Sequence, residues 1–471
     1  MQCVAKQDVK ILGEDIMEPK TYLDQNRQKR LDELFDFLRF PSVSAKSENK
    51  KDIEACANWL NDHFSQMGLK SKIMPTAGHP VVYGEHFSSP DKLTVLYYGH
   101  YDVQPAEPLD LWDSPPFEPT IDGDYIRARG ATDDKGQLWT HVKALEAYLA
   151  TDTDLPVNVK VLIEGEEESG AENLAEFVKE HHDMLKADII VVSDSSMFGK
   201  NRPAVTFGLR GVAFVEVKIT GPDRDLHSGG FGGAVPNPAN TLAKIIGSLH
   251  DDDGRVTIDG FYDNVRPITD WEKKQFEQLP FDEEEFRTKI GTPGLHGEKG
   301  YSIIERIWCR PTLDVNGITG GYQGEGGKTI IPSWASAKIT MRLVPDQKPD
   351  EICDKIEAYI NKTCPEYVDC RITKHGGAAA VVVPTDGPWL AGAGSAVRKG
   401  FGVDPVFIKE GGSIPIVGTF KNVLGVDTLL LGWGQNDDNA HSPNERFSRS
   451  DFDKACYASL WLIEELSKVK V

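Results

Sequence analysis

LTVLYYGHYDVQP, residues 93–105, followed after a loop by RARGATDDKGQL, residues 127–138, is the stretch whose reading decides the fold. Leu93 to Tyr98 is a short run of β-branched, aromatic and aliphatic residues, the pattern of a strand buried on both faces, and Gly99 is expected to end it. His100 and Asp102 lie two apart at the strand's exit and can face the same way. A neutral imidazole is a ligand for first-row metals, and a carboxylate on its second nitrogen fixes the tautomer and raises its basicity. Further on, Asp133, Asp134 and Lys135 stand between Gly130 and Gly136, ahead of Leu138, Val142, Leu145 and Leu149 at helical spacing. The acidic pair therefore occupies a strand-to-helix turn, where open α/β sheets keep their ligands. Taken alone, an H-x-D is common by chance, and an Asp-Asp before a helix is more often an N-cap than a ligand.

Outward from that stretch, Leu31, Leu34, Phe35 and Leu38 predict one amphipathic helix, and Ile53, Cys56, Leu60, Phe64 and Met67 a second, closed by Gly68. Val157 to Ile163 reads as a strand, Leu174 to Leu185 as a helix, and Ile189 to Val192 as a strand. Alternating strands and helices give a mostly parallel α/β sheet. From Arg210 the character changes. Val212 to Ile219 and Ala335 to Leu343 alternate apolar and polar, as antiparallel strands with one wet face do. Asn237 to Leu249 and Ile352 to Ile360 are helical. These predict an α+β sandwich inserted between about 210 and 383, so that residues 1–209 and 384–471 form one domain around it. Gly254 to Lys299, charged and Pro-rich, reads as an excursion rather than core. After Pro384 the first pattern resumes: a helix over Leu390 to Arg398, a strand at Thr428 to Leu431, and a last helix carrying Phe452, Cys456, Leu460 and Ile463 on one stripe.

A chain of 471 residues exceeds one ordinary core and predicts two domains. It contains no apolar run of about 18 residues, so nothing is expected to span a membrane. The N-terminus lacks the apolar stretch of a signal peptide, and Cys3 alone makes no lipid anchor. Seven scattered cysteines with no C-x-x-C pair fit free thiols in a reducing cytoplasm. A net charge of -21 argues against nucleic acid and anionic membranes as partners, and bound divalent cations would offset part of it.

The acids recur at strand ends: EGEEESG (164–170) follows one strand and Asp194 another, while the loop NDDNAHSP (436–443) holds His441. A glutamate triplet is ordinarily a solvated charge run, but like charges at a strand's end need something positive opposite. His100, Asp133, Glu168, Asp194 and His441 together supply two neutral imidazoles and three carboxylates. Two divalent ions and one bridging hydroxide would neutralise them, the balance of a two-metal hydrolytic centre with ions about 3.5–4 Å apart. Glu167, beside a ligand without being one, is the expected general base. Gly320–Thr329 looks like a phosphate loop but has Tyr322 where G-x-x-x-x-G-K-T requires glycine.

GHYDVQP, GATDDKG, EGEEESG, VSDSSM, DLHSG, RLVP, EGGSIP and AHSPNE, in this order from about Leu31 to Leu466, resemble the co-catalytic metallopeptidases that include carnosinase and the cytosolic non-specific dipeptidases, wider kin of aminoacylase and acetylornithine deacetylase. The resemblance implies a catalytic domain with helices on both faces of its sheet and a ferredoxin-like insert serving as lid and dimerisation domain. It implies that His100 and Asp194 hold one ion, Glu168 and His441 the other, and Asp133 both, with Asp102 orienting His100 and Glu167 as base. Zinc is the expected metal, with manganese as the alternative. It further implies a cytoplasmic homodimer in which His227 reaches the partner's site to stabilise the oxyanion, while Arg342, Ser413 and Thr329 hold a substrate carboxylate. The implied reaction is hydrolysis of dipeptides. The segment Thr385–Trp389 lacks a histidine that some cytosolic dipeptidases carry there, which implies one substrate contact fewer. Two other functions compete: an N-acyl-amino-acid deacylase or desuccinylase using the same centre, and a non-catalytic binding relative, whose lost ligand or base is not seen here.

Overall fold

The computed structural model describes residues 17–151 and 153–470; Cys3 and the start of the chain lie outside them. A nine-stranded sheet organises the larger part. At its centre the strands Asn158–Glu164, Thr94–His100, Ile189–Val192 and Thr428–Leu430 run parallel in that order. Every residue of Ile189–Val192 and Thr428–Leu430 is buried, as the unbroken apolar runs require when helices cover both faces. Antiparallel strands Lys70–Met74 and Val81–His86 extend one edge, and Ala204–Leu209, Val381–Val382 and Val406–Glu410 the other. On one face the helices Lys135–Ala150, Pro388–Phe401 and Arg449–Ser467 contribute Leu138, Trp139, Val397 and Phe452 to the main core. On the opposite face Leu174, Phe177 and Phe420 cover Tyr98, Ile190 and Leu430.

The strand Thr94–His100 does not stop at Gly99 as expected; it continues to His100. A Cβ at Gly99 would stand 2.8 Å from Asp134 Oδ2, so this glycine admits a carboxylate against the strand rather than ending it. The helix expected over Leu174–Leu185 is broken at His181, whose ring packs edge-on against Phe177.

Between the two halves of this sheet the chain builds a separate four-stranded antiparallel sheet in the order Thr312–Gly320, Trp334–Leu343, Gly211–Thr220, Asp369–Ala378. The helices Pro238–Gly247 and Pro349–Thr363 bury Leu242, Ile245, Ile356 and Ile360 on one face of it. In chain order this is strand order 4-1-3-2, a ferredoxin-like α+β sandwich. The segment 254–299 is not mere excursion. The helix Asp270–Glu277, closed by a Thr269/Glu272 capping box, places Phe276 in the main core beside Leu279, Ile304 and Trp308. The six described cysteines are free. No helix among the described residues is long and apolar enough to cross a membrane.

Candidate metal centre

Each candidate ligand stands beyond the carboxyl end of a central strand, or in the turn before a buried helix. His100 is the last residue of its strand and fully buried. Its Nδ1 lies 3.1 Å from the Asp102 main-chain oxygen and 3.4 Å from Asp102 Oδ1. Both are acceptors, so Nδ1 carries a proton and Nε2 is the atom left to face a metal. Nε2 is 3.2 Å from Asp133 Oδ1 and 3.9 Å from Asp194 Oδ2. The approach to Asp133 lacks hydrogen-bond geometry, and this buried nitrogen has no partner. On the other side of Asp133, His441 Nε2 lies 2.9 Å from Oδ2 and 3.2 Å from Glu168 Oε2. His100, Asp133 and Asp194 form one group able to hold a cation, and Asp133, Glu168 and His441 a second, with Asp133 common to both. The residues fit two metal ions: six ligand positions from mixed N and O donors, and an orphaned imidazole nitrogen aimed between carboxylates.

Charge agrees with geometry. Burial, then Asp133, drives the Asp194 carboxyl well above its ordinary range. Burial would lower the basicity of His100, but Asp102, Asp133 and Asp194 outweigh it and hold the ring well above its usual value. Hydrogen bonds to Asp133 and Glu168 push His441 up to about 10. Burial also opposes ionisation of Asp133, yet the two histidines hold its carboxyl below the usual range. Without a cation, the cluster balances its carboxylates by taking up protons.

The three consecutive glutamates separate by their partners. Glu166 accepts two hydrogen bonds from Asn173 Nδ2, at 3.1 and 3.0 Å. Glu168 accepts one from Gln104 Nε2 at 2.8 Å. The Glu167 carboxylate has no hydrogen bond among the described residues, and burial followed by nearby Glu168, Asp133 and Asp102 raises its pKa. A carboxylate left free beside the ligands can exchange protons. Asp102 does more than orient His100: its two oxygens accept the main-chain N–H groups of Glu167 and Glu168 at 3.3 and 3.1 Å, fixing the turn that carries both.

Two further residues complete the frame, and neither was assigned a role from sequence. Gln104 holds Glu168. Glu445, fully buried, accepts from Arg129 Nη1 (2.7 Å) and from the N–H groups of Gly130, Thr132 and Asp133 (2.9, 2.9 and 3.1 Å). It thereby ties the loop bearing His441 to the loop bearing Asp133. Both lie inside quoted motifs, but their partners are 64 and about 315 positions away, beyond what spacing reveals. Gly136 lets the Asp133 loop close on its helix, because a Cβ there would meet the Ala131 oxygen at 1.9 Å. His441 itself adopts φ +61°, a left-handed conformation costly for a side-chain-bearing residue and held here by the surrounding loop contacts.

Arg342 and Ser413, 71 positions apart, do meet: Arg342 Nη1 donates to Ser413 Oγ at 3.1 Å, and Ser413 in turn donates to the Arg210 main-chain oxygen. His227 and Thr329 are not part of the cluster within this chain. Both are exposed; Nδ1 of His227 accepts the Gly229 N–H at 2.9 Å, and the Ser228 N–H donates to the Thr329 oxygen at 3.0 Å.

Comparison with known proteins bears on this geometry. The model of peptidase family M20/M25/M40 matches residues 96–465. The Cys-Gly metallodipeptidase DUG1 of Saccharomyces cerevisiae is 34% identical over 451 residues, covering 91% of this chain and 94% of that protein. The Beta-Ala-His dipeptidase of Homo sapiens is 34% identical over 386 residues, 79% of this chain and 75% of that protein. Among solved structures, the M20 family metallo-carboxypeptidase Sso-CP2 from Sulfolobus solfataricus superposes with a TM-score of 0.83 at 35% identity, covering 94% of this chain and 100% of that one. Human carnosine dipeptidase 1 superposes with a TM-score of 0.77 at 28% identity, over 96% and 98%.

Proposed function

Because the chain belongs to peptidase family M20/M25/M40, we propose that it is a metal-dependent dipeptidase that hydrolyses the peptide bond of free dipeptides. The observation that carries this reading is the pair of donor groups joined through Asp133, with the unpartnered Glu167 carboxylate beside them. His100 and Asp194 would hold one divalent ion, Glu168 and His441 the other, and Asp133 both. Such ions, zinc first and manganese as the alternative, would polarise the scissile carbonyl and bring the pKa of a water toward about 7. Glu167 takes a proton from the attacking water and passes it to the leaving amine as the C–N bond breaks. Asp102 keeps His100 in the tautomer with Nε2 bare, and its grip on the Glu167 N–H keeps the base in place.

The direct Arg342–Ser413 contact supports a carboxylate pocket, since a guanidinium and a hydroxyl side by side suit a substrate's C-terminal carboxylate. That would confine the enzyme to short peptides. Residues 1–209 and 384–471 would form the catalytic domain and 210–383 the lid and dimerisation domain. His227 and Thr329, adjacent and exposed, would serve the partner subunit's site in a homodimer, His227 stabilising the oxyanion. The unpaired cysteines and the acidic charge favour a cytoplasmic protein without nucleic-acid or membrane partners.

The test is hydrolysis of Cys-Gly, Ala-Ala, Leu-Gly and β-Ala-His beside N-acetyl and N-succinyl amino acids, using chelated protein reloaded with zinc or manganese. Metal-dependent cleavage of free dipeptides, with acylated substrates inert, is expected. Cleavage of acylated substrates alone would move the chain to the deacylases. His227→Ala should cut turnover while leaving the dimer intact; an unchanged rate would remove His227 from the site.

A further inference from the structure

A cavity of about 620 Å³, within the size range of small-molecule sites, has a wall that begins one residue after Asp194. One wall is the segment Ser195–Phe198, which runs on directly from Asp194; another is Glu410–Gly412, which leads into Ser413. The roof is a strap, Pro280–Ile290, that crosses from the inserted region. Just before the strap, Leu279 is buried in the main core, and within it Asp282 caps the helix Glu283–Lys289 through the Glu285 N–H at 2.7 Å. The strap is therefore a fixed part of the fold rather than a stray loop.

Phe198, Phe281, Phe286, Ile290, Ile307 and Trp308 supply the apolar part of the lining, and the strap adds the charged Asp282, Glu285 and Lys289. Phe281 packs against Phe286 with ring centroids 5.4 Å apart, and Trp308 is braced edge-on by Phe276 at 5.3 Å. Two more charges, Lys409 and Glu410, are already engaged. Lys409 pairs with buried Glu272, and Glu410 accepts the Thr206 hydroxyl at 3.3 Å. Ile290, in the lining, is 53% exposed, an apolar side chain turned to water.

We propose that this cavity receives the side chain of the substrate's N-terminal residue and selects a bulky apolar one. The inference rests on the dipeptidase reading above. In this proposal the substrate carboxylate sits on Arg342 and Ser413, the scissile carbonyl at the centre, and the N-terminal residue on the Asp194 side. There the wall begins with Ser195, and Asn436, from the loop that carries His441, donates to the Phe198 main-chain oxygen at 3.1 Å. Neither Arg342 nor Ser413 lines the cavity itself.

The experiment measures kcat/KM of the metal-loaded full chain on two series: Ala-Gly, Leu-Gly and Phe-Gly, and Gly-Ala, Gly-Leu and Gly-Phe. Wild type is expected to prefer Leu-Gly and Phe-Gly over Ala-Gly by about tenfold or more, the discrimination that a few methylenes give in an apolar pocket. Phe286→Ala should lower the Phe-Gly to Ala-Gly ratio by about tenfold and leave the Gly-X ratios as they were. Phe286→Trp, which fills the recess, should depress Phe-Gly more than Ala-Gly and covers the case in which the alanine variant fails to fold. An unchanged X-Gly ratio in both variants, or a shift confined to the Gly-X series, would overturn the inference while leaving the dipeptidase reading intact. Wild-type protein that cleaves no member of either series would overturn that reading and the inference with it.

Discussion

Glu445 is the sharpest place to test whether the geometry of the centre is imposed by the frame around it. One buried carboxylate receives four N–H groups at 2.7–3.1 Å, from Arg129, Gly130, Thr132 and Asp133. Glu445→Ala would strand three amide donors, each costing about 1–3 kcal/mol when buried and unmatched. It would also leave Arg129 without its carboxylate, a loss of about 3–5 kcal/mol for a buried pair, softened because Arg129 retains the Pro105 oxygen at 3.2 Å and the Trp112 ring. The total rivals the roughly 5–15 kcal/mol that holds a domain folded, so failure to accumulate is expected. Glu445→Gln is the informative variant. It keeps the shape and one acceptor oxygen, serving one pair of donors and facing the other with an NH2, a cost of about 2–4 kcal/mol. Because Asp133 is common to both donor groups, any share of that cost spent on its position weakens both metal sites, tenfold for each 1.4 kcal/mol. Thermal unfolding and metal content after dialysis against graded chelator would be measured beside Glu176→Gln, an exposed control. A lower midpoint with both metals lost at lower chelator is expected for Glu445→Gln alone. Wild-type midpoint and metal retention would refute the reasoning and leave the Asp133 loop to Gly136 and to Asp438, whose Oδ2 accepts the Thr132 hydroxyl at 3.1 Å.

Glu167→Gln should keep two metals per chain and lose about 10²–10⁴ in kcat, as removal of a general base does; retained turnover would place the base elsewhere. In chelated protein His441 is held up to about 10, above its unfolded value near 6.5. Its contribution to stability is thus complete below about 6.5 and lost as pH rises toward 10. The midpoint of chelated protein should fall over that window while metal-loaded protein does not follow, and uptake of metal at neutral pH should release protons, read as buffer-dependent heats in calorimetry. Arg342→Ala should raise KM about tenfold or more for free dipeptides and barely affect C-terminally amidated ones; equal effects on both would remove Arg342 from carboxylate binding.

What was legible in the sequence was what local periodicity and strand ends carry. The run before His100, the helix after Lys135 and the strands before Glu164 and Asp194 follow from patterns confined to a few residues, and the ligands stand where those patterns end. The outer strands Lys70–Met74, Val81–His86 and Val406–Glu410 escaped because their partners are set by tertiary pairing, and their burial is uneven. The segment 254–299 looked expendable because charge outnumbers apolar residues. Yet Thr269-x-x-Glu272 and Ser302-x-x-Glu305 are capping boxes readable in the sequence, and each heads a helix that sends aromatic residues inward. Spacing cannot tell which of three adjacent glutamates is free; that depends on Asn173 and Gln104, which arrive from other elements.

The limit of residue type as evidence is clearest in a third cluster. Glu33, His63 and Glu146 also converge closely enough to hold a cation, and by composition they match the centre. Their surroundings differ. Lys143 pairs with both glutamates, and its ammonium lies 3.1 Å from His63 Nε2 and 4.4 Å from the Trp139 ring centre. Lys29 reaches both carboxylates as well, and Tyr22 donates to Glu146 at 2.7 Å. Two carboxylates against two ammoniums are neutral, and the position a metal would take is filled by Nζ. At the centre, no lysine or arginine pairs with Asp102, Asp133, Glu167, Glu168 or Asp194 among the described residues; their charged contacts are the two histidines. The same donor types are therefore a buried ion-pair network in one place and a cation site in the other. What separates them is the uncompensated charge, a property of the assembled fold that no stretch of sequence contains.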